Sequence, residues 1–351
     1  MIDLFDLPAE LCADMPPERR GLARDQVRLL VADSGWHTHA RFADLAGFLA
    51  PGDLLVVNTS ATLAADIAGV HPDGREVVVR FSALAADGTW LVDLRAPLEA
   101  GRGSIGTVGE RIQLPGGAAV TLLGGHARAA ADRTQLWRAD VAVGGSLERY
   151  LARHGRPTYS CVRGQWPIST YRSVFARDPG SAEMPSAARP FTADLVASLV
   201  SAGVGIAPIT LHTATAPADV SANPCPEWYQ VPYATARLIN ATRAWGRRVV
   251  AVGTTAVRAV ETVARPDGVL AAGSGWTDLV LSPQRPARVI DGLITGWHAP
   301  GASHLLMLES IAGAELVGAA YREALQARYL WDGFGDSCLL LADRQRLRAS
   351  A

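Results

Sequence analysis

RRVVAVGTTAVRAVETVA, residues 247–264, is the stretch that decides the fold class of this chain. The short apolar run VVAV is typical of a buried strand, and the residues after the Gly-Thr-Thr turn have the period of a helix. Polar residues therefore stand where a strand ends and a helix begins. The stretch predicts one βα unit of an α/β domain.

Strands and helices alternate on both sides of this unit. GIAPITLH, TDLVL and SCLLLA are interpreted as strands. The helical stretches are residues 191–202, with Thr192 as the N-cap, then ATARLINATRAW, SHLLMLESIAG and ELVGAAYREALQARY. Strands separated by helices of 10 to 15 residues indicate an α/β domain with a largely parallel sheet.

A different pattern interrupts this domain. LLVVN at 54–58 is a buried strand, but between Ile67 and Val141 short β-prone runs recur between glycine-rich turns. Such spacing is typical of a small barrel or sandwich. SLERYLARHG then predicts a helix that ends at Gly155. We therefore expect an α/β domain formed by 1–58 and 155–351, and an inserted β-rich, barrel-like domain at 59–154.

The composition is that of a globular protein. Of 351 residues, 49% are apolar and 19% are charged. No apolar run approaches the roughly 20 residues that cross a bilayer, and the N-terminal residues MIDLFDLPAEL do not resemble a signal peptide. We expect a cytoplasmic protein without a membrane partner.

Several kinds of chemistry are excluded by missing residues. The chain contains no lysine, so Schiff-base chemistry and a Walker-type phosphate loop are excluded. Its four cysteines (Cys12, Cys161, Cys225 and Cys338) form no C-x-x-C pair, and no metal-ligand spacing connects the histidines, so we expect no metal site. The net charge of −1 gives no general attraction to nucleic acid, and RNA binding would need a local arginine patch.

Candidate site residues follow predicted strands, because open α/β sheets bind ligands at the carboxyl edge. Thr210 and His212 end one strand, where a hydrogen-bonded structural histidine is the alternative for His212. Thr254, Thr255 and Arg258 open the helix after another strand. The Gly-Thr-Thr turn can direct N–H groups at an anion, or can simply cap its helix. Asp278, Asp291 and His298 are further polar candidates, each of which has a structural alternative as a cap, a turn residue or a buried histidine.

Many segments, in order, resemble the S-adenosylmethionine:tRNA ribosyltransferase-isomerase family of queuosine biosynthesis. They are FDLPAEL, RLLV, PGDLLVVN, YRSVFARDPGS, FTADL, TLH, EWY, VVAVGTTAVRAVE, GWTDLVL, VIDGLITGWHAP, HLLMLESIAG and FGDSCLLL. The resemblance covers nearly the whole chain. It implies an α/β domain interrupted by a β-barrel.

The resemblance also implies an activity. The family uses S-adenosylmethionine (AdoMet) as a ribosyl donor, without a permanently bound cofactor or metal. The acceptor is a 7-deazaguanine base in tRNA, and adenine and methionine are released. By position, the resemblance implies catalytic roles for His212, His298, Glu227 and Asp278. The substrate-binding candidates are Asn58, Ser186, Phe191, Thr254, Thr255, Arg258, Trp276, Asp291, Trp297 and Ser303.

The sequence departs from the family at several positions. The family segment Asn-Asp-Thr-Arg is Asn58-Thr59-Ser60-Ala61 here, and a later arginine is Asp66. Cys225 stands where the family has a histidine. The lost arginines weaken the expectation of a tRNA partner, and no DNA partner is expected. Two alternatives therefore stand beside the family reaction: an enzyme that binds AdoMet or a related nucleoside and acts on a small molecule, and a non-catalytic binding protein.

Overall fold

The computed structural model describes residues 5–33, 35–95, 106–125, 136–158, 164–215 and 225–342. Cys161 lies outside them. The strands are β1 (Arg28–Asp33), β2 (Trp36–Arg41), β3 (Leu54–Asn58), β4 (Ser60–Thr62), β5 (Asp66–Val70), β6 (Glu76–Leu84), β7 (Trp90–Arg95), β8 (Arg111–Gln113), β9 (Ala119–Gly125), β10 (Leu136–Ala142), β11 (Asp178–Ser181), β12 (Gly205–Leu211), β13 (Glu227–Val231), β14 (Val249–Val252), β15 (Gly273–Thr277), β16 (Gly292–Gly296) and β17 (Ser337–Leu341). The α-helices are α1 (Leu147–His154), α2 (Ala193–Ser201), α3 (Tyr233–Ala244), α4 (Thr254–Thr262), α5 (His304–Ala312) and α6 (Ala314–Gln326).

The larger sheet has the strand order β15-β13-β12-β3-β14-β16-β17-β1-β2. Its central strands β12, β3, β14 and β16 pair in parallel. Antiparallel pairs flank them, with β13 and β15 on one side and β17 and β2 on the other. The predicted α/β fold is confirmed, and its parallel part occupies the centre of the sheet.

Helices cover both faces of this sheet. Leu54 and Val56 of β3 face a core that includes α3, α4, α5 and α6, whereas Leu55 and Val57 face a core that includes α2. Every residue of β3 is buried because neighbouring side chains on a strand point to opposite faces. None of the described helices is long and apolar enough to span a bilayer.

The smaller sheet is a closed barrel with the strand order β10-β7-β6-β5-β8-β9. All of its neighbours pair antiparallel. Its strands lie between Asp66 and Ala142, and it has its own apolar core, in which Phe81 and Trp137 are the largest side chains. The predicted β-rich barrel is confirmed. The exact domain boundaries at 58/59 and 154/155 stay a prediction.

Two short strands connect the larger sheet and the barrel. β4 follows β3 directly and pairs in parallel with β11. On the other side of the barrel, α1 begins at Ser146, whose hydroxyl accepts from the Arg149 amide, and ends at Gly155 as predicted. A Cβ at Gly155 would lie 2.0 Å from the Ala64 carbonyl oxygen, so glycine permits this close approach.

One predicted strand is displaced. TDLVL, residues 277–281, was expected to be a strand, but the strand in this region is β15, which ends at Thr277. The carbonyls of Thr277 and Leu279 accept instead from the Arg258 guanidinium. A buried side chain therefore satisfies backbone groups that a strand neighbour would otherwise satisfy.

Candidate active site

Polar side chains lie at the carboxyl ends of the four central strands, and we call this edge of the sheet the groove. His212 follows β12, Asn58 ends β3, Thr254 follows β14 through Gly253, and His298 lies two residues after β16. These strands are parallel, so all four positions lie at the same edge of the sheet. Three strand spacings of about 4.8 Å separate the ends of β12 and β16 by about 14 Å.

His212 is held on three sides at one end of the groove. Its Nδ1 lies 2.8 Å from the Ser60 hydroxyl, which in turn lies 2.6 Å from the Ser181 hydroxyl. Its ring stacks on Trp228 at a centroid distance of 5.1 Å. A Cβ at Gly180 would approach the imidazole to 2.4 Å, so the backbone there lies against the ring. The position of the imidazole is therefore fixed by packing.

The electrostatic environment keeps His212 neutral near pH 7. Burial lowers the pKa of His212 below its ordinary value, and the Asp178 carboxylate opposes this shift. Within the described residues, its Nε2 has no hydrogen-bond partner. In the tautomer whose Nδ1–H donates to the Ser60 hydroxyl, Nε2 is the atom that is available to accept a proton.

An aromatic cavity of about 270 Å³ lies beside His212, between the barrel and the larger sheet. We call it the aromatic cavity; its walls include Trp90, Trp228 and Trp276, with Glu148 at its margin. The indole of Trp276 donates to the Leu84 carbonyl at 3.1 Å, which joins the two sheets. The volume is close to the lower end of the range for ligand pockets, about 300 Å³. The arrangement suits a planar ring or a cation.

Asn58 has a bracing role that differs from the predicted contact with substrate. Its Oδ1 accepts from the amides of Ser60 and Leu211, and its Nδ2 donates to the Leu211 carbonyl and the Thr255 hydroxyl. These four bonds use the full capacity of the amide. Asn58 and the buried Thr255 therefore hold β3, β12 and α4 together and do not face a ligand.

Glu227 and Arg258 form a buried ion pair. Glu227 also accepts from the Ala214 amide, and Arg258 also donates to the carbonyls of Thr277 and Leu279. Burial raises the pKa of Glu227, and Arg258 acts in the opposite direction. Both side chains are used inside the protein, which is the physical reason why neither lies free at the groove as the sequence predicts.

His298 lies at the other end of the groove. Its Nε2 is 3.0 Å from the Thr295 hydroxyl, and its ring stacks on His304 with centroids 4.6 Å apart. Burial, followed by the neighbouring His304, lowers the pKa of His298 well below its ordinary value. Burial and then Arg258 lower the pKa of His304. The groove therefore ends in a pair of neutral imidazoles.

The other predicted residues near the groove vary in exposure. Thr254 is half-buried at the first position of α4, and Ser186 is half-buried in a short turn that packs against Gly253. Asp278 and Ser303 are exposed. Trp276 lines the aromatic cavity, as described above.

Three predicted substrate-contact residues are engaged inside the protein. Phe191 is fully buried and packs edge-on against Phe42 with centroids 5.0 Å apart. Trp297 is buried in an aromatic core cluster, with its ring 5.1 Å from that of Tyr321. Asp291 precedes β16 and accepts from the Val249 amide, so it lies at the amino edge, opposite the groove.

The sequence reasoning did not single out several residues of the site. Ser60 contacts His212, Trp228 stacks on it, and His304 stacks on His298. Asp178, Gly180 and Ser181 all lie within YRSVFARDPGS, a segment that was quoted for the resemblance without an assigned role. Among the described residues, no group of three or more His, Cys, Asp or Glu side chains could hold a metal ion.

Cys225 lies at the junction of the two sheets. It is buried and packs with Ala83, Leu91 and Ala214. The structure therefore places this thiol in an apolar cluster of the barrel junction, close to Glu227 in sequence but apart from the imidazoles described above.

The fold defines an α/β protein with a cavity between its central sheet and a barrel. Residues 4–340 match the model of a family described as queuosine biosynthesis protein. The chain belongs to the queuosine biosynthesis protein family.

Individual relatives agree with this assignment. The chain is 35% identical over 352 residues to the S-adenosylmethionine:tRNA ribosyltransferase-isomerase of Gloeobacter violaceus, covering 97% of this chain and 96% of the relative. It is 36% identical over 355 residues to the protein of the same name from Moorella thermoacetica, covering 96% and 98%. A crystal structure of the S-adenosylmethionine tRNA ribosyltransferase of Thermotoga maritima has a TM-score of 0.54 and 28% identity, covering 97% of this chain and all of that one.

Proposed function

We propose that this protein is an AdoMet-consuming enzyme that transfers the ribosyl group of AdoMet to a 7-deazaguanine base in tRNA, with release of adenine and methionine. The observation that carries the proposal is the neutral His212, whose Nε2 is available beside the aromatic cavity. The names of the relatives, at about a third identity over nearly full length, support the donor and the acceptor class. The supported function is that of a transferase/isomerase.

His212 is the proton acceptor in this proposal. The carbon beside the sulfonium of AdoMet is acidic, and a neutral imidazole can remove its proton. Ser60 and Ser181 hold Nδ1 of His212, which directs Nε2 into the site. The electron-rich faces of Trp228 and Trp276 provide a favourable surface for the sulfonium cation.

In this proposal, His298 and Thr254 interact with the two leaving groups, adenine and methionine. A neutral imidazole still donates an N–H hydrogen bond, so His298 can stabilise negative charge that develops on departing adenine. Thr254 opens helix α4, where the helix dipole favours a carboxylate such as that of the methionine moiety. Glu227 and Arg258 do not contact the substrate in this proposal. Their ion pair and the bond from Arg258 to the Thr277 carbonyl fix the backbone next to Trp276.

Adenine release provides the direct test. The purified protein is first titrated calorimetrically with AdoMet, and adenine is then measured with and without tRNA that carries the precursor base. We expect saturable AdoMet binding and adenine release only with that tRNA. Release without tRNA, or with a small-molecule acceptor alone, would contradict the proposed acceptor.

A pair of variants assigns the base. We expect His212→Asn to lower kcat by about 10²–10⁴-fold, the usual contribution of a general base. AdoMet affinity should change little, because the aromatic walls remain. His39→Asn, on the edge strand β2 away from the groove, is the matched control and should keep the wild-type rate. Equal rates in the two variants would remove His212 from the proton transfer.

A further inference from the structure

A second cavity, of about 460 Å³, continues from the aromatic cavity. The two share Leu63, Glu148 and Pro179 in their walls. The second cavity extends along α1, from Glu148 in its first turn to Gly155 at its end, and towards Trp166 and Arg172. The two cavities are therefore neighbours that share part of their walls.

The second cavity is rich in arginine. We call Arg149, Arg156, Arg172 and Trp166 the arginine groove; Glu148 is the acidic side chain among the described lining residues. Arg149 and Arg156 are exposed, whereas Arg172 is half-buried and donates to the Thr62 carbonyl. The guanidinium fork is suited to phosphate oxygens, and a cluster of three gives a local positive field in a chain of net charge −1.

Trp166 gives the groove an aromatic surface with an unused donor. Its Nε1 is buried and has no hydrogen-bond partner among the described residues. The Arg19 guanidinium lies over the indole at 5.1 Å from its centroid. Arg19 covers one face of the indole, and the other face of such a ring is a surface on which an unpaired base can stack.

The backbone fixes the position of Arg156. Its amide donates to the Asp66 carbonyl at 2.8 Å, and its carbonyl accepts from the Asp66 amide at 3.0 Å. The close approach of Gly155 to Ala64 holds the end of α1 against the same stretch. The backbone of Arg156 is therefore bonded to the first residue of barrel strand β5.

We infer that the arginine groove binds the single-stranded RNA backbone next to the base that enters the aromatic cavity. The inference rests on the proposed function and identifies where the polynucleotide lies. Phosphates would pair with Arg149, Arg156 and Arg172, and a neighbouring base would stack at Trp166. Balanced net charge is compatible with RNA binding because the positive side chains are concentrated along this path.

The test uses full-length protein and tRNA that carries the precursor base. Arg149→Gln/Arg156→Gln is compared with Arg247→Gln/Arg285→Gln, which removes two exposed arginines at a separate cavity near the amino edge of the sheet. The measured quantities are tRNA affinity as a function of salt, and AdoMet affinity. We expect the first pair to weaken tRNA binding at least about tenfold and to reduce the salt slope by about 1.4, two contacts at 0.7 each for a single strand.

The controls separate this inference from the proposed function. AdoMet affinity should be unchanged in both double variants, which also shows that they are folded. An equal loss of tRNA affinity in both pairs, or a loss only in the Arg247/Arg285 pair, would overturn the inference. If adenine release is absent but the Arg149/Arg156 pair alone weakens tRNA binding, the proposed reaction fails while the RNA path stands.

Discussion

At the scale of single residues, the groove depends on what surrounds each histidine. His212 and His298 carry lowered pKa values for the same main reason, burial, but their neighbours differ in sign. Asp178 favours the protonated form of His212, whereas His304 disfavours the protonated form of His298. The two imidazoles therefore respond differently to substitutions around them.

The first prediction concerns the pH dependence of kcat/KM. His212 must be neutral to accept a proton, so activity should fall as pH drops below the pKa of His212, which lies under the ordinary value of 6.5. Asp178→Asn removes a negative charge that raises the pKa of His212. The acidic limb of the profile of kcat/KM against pH should therefore move to lower pH. The shift should be small, because Asp178 is exposed and salt screens it.

The control for this prediction is Asp267→Asn, another exposed aspartate, in a loop away from His212. Its acidic limb should coincide with that of the wild type. A limb that moves to higher pH in Asp178→Asn, or one that moves equally in both variants, would show that Asp178 does not act on the catalytic base.

The sequence predicted where candidate site residues lie along the strands better than it predicted which way their side chains point. His212 and Thr254 were predicted at strand ends and His298 in a loop before a helix, and the structure places all three at one edge of the sheet. Phe191 and Trp297 were predicted as substrate contacts because they lie in family-like segments. Whether an aromatic side chain turns inward depends on packing with distant residues such as Phe42 and Tyr321, which local pattern does not reveal.

At the scale of elements, helix α4 is attached to the outer strands through one buried ion pair. Arg258 of α4 reaches Glu227 on β13, the carbonyl of Thr277 at the end of β15 and the carbonyl of Leu279 beyond it. The same contacts explain why TDLVL is not a strand. The strand was predicted from the apolar residues of TDLVL alone. That pattern does not show that the Arg258 side chain of helix α4 bonds the backbone of this segment.

The second prediction is that Arg258→Met destabilises the protein by about 3–5 kcal/mol, since it leaves Glu227 buried without its partner charge. Urea unfolding followed by fluorescence measures the free energy of unfolding. Glu227→Gln/Arg258→Met should recover part of the loss, because no charge is then buried.

The matched control is Arg265→Met, which breaks the exposed pair with Asp267 and should cost less than about 1 kcal/mol. If Arg258→Met and Arg265→Met lose the same stability, the Glu227–Arg258 pair is not the attachment that we describe.

At the scale of the whole molecule, the barrel and the larger sheet have separate cores and meet at the aromatic cavity. The barrel core includes Phe81 and Trp137, and bonds such as Trp276 to Leu84 connect it to the sheet. Alternating strands and helices predicted the α/β domain, and recurring short β-prone runs after residue 59 predicted the barrel. The cavity between them could not be predicted, because it depends on how they pack.

The third prediction is that the fragment 59–154 folds alone, with a free energy of unfolding of about 5–10 kcal/mol for its length. Urea unfolding followed by the fluorescence of Trp137 should show one cooperative transition. The fragment 76–154 is the control: it lacks β5, so the barrel cannot close and cooperativity should be lost. A fragment 59–154 without a cooperative transition would contradict the predicted domain boundaries.

The pairing of β4 with β11 has an evolutionary consequence. The chain leaves the larger sheet after Asn58 and, after the barrel and α1, comes back beside Ser60 at Asp178. Entry and exit are neighbours, so a whole barrel can be gained, exchanged or lost at this place without re-threading any strand of the sheet. Descendants of one scaffold could thereby acquire new partners by replacing a single continuous stretch of the gene.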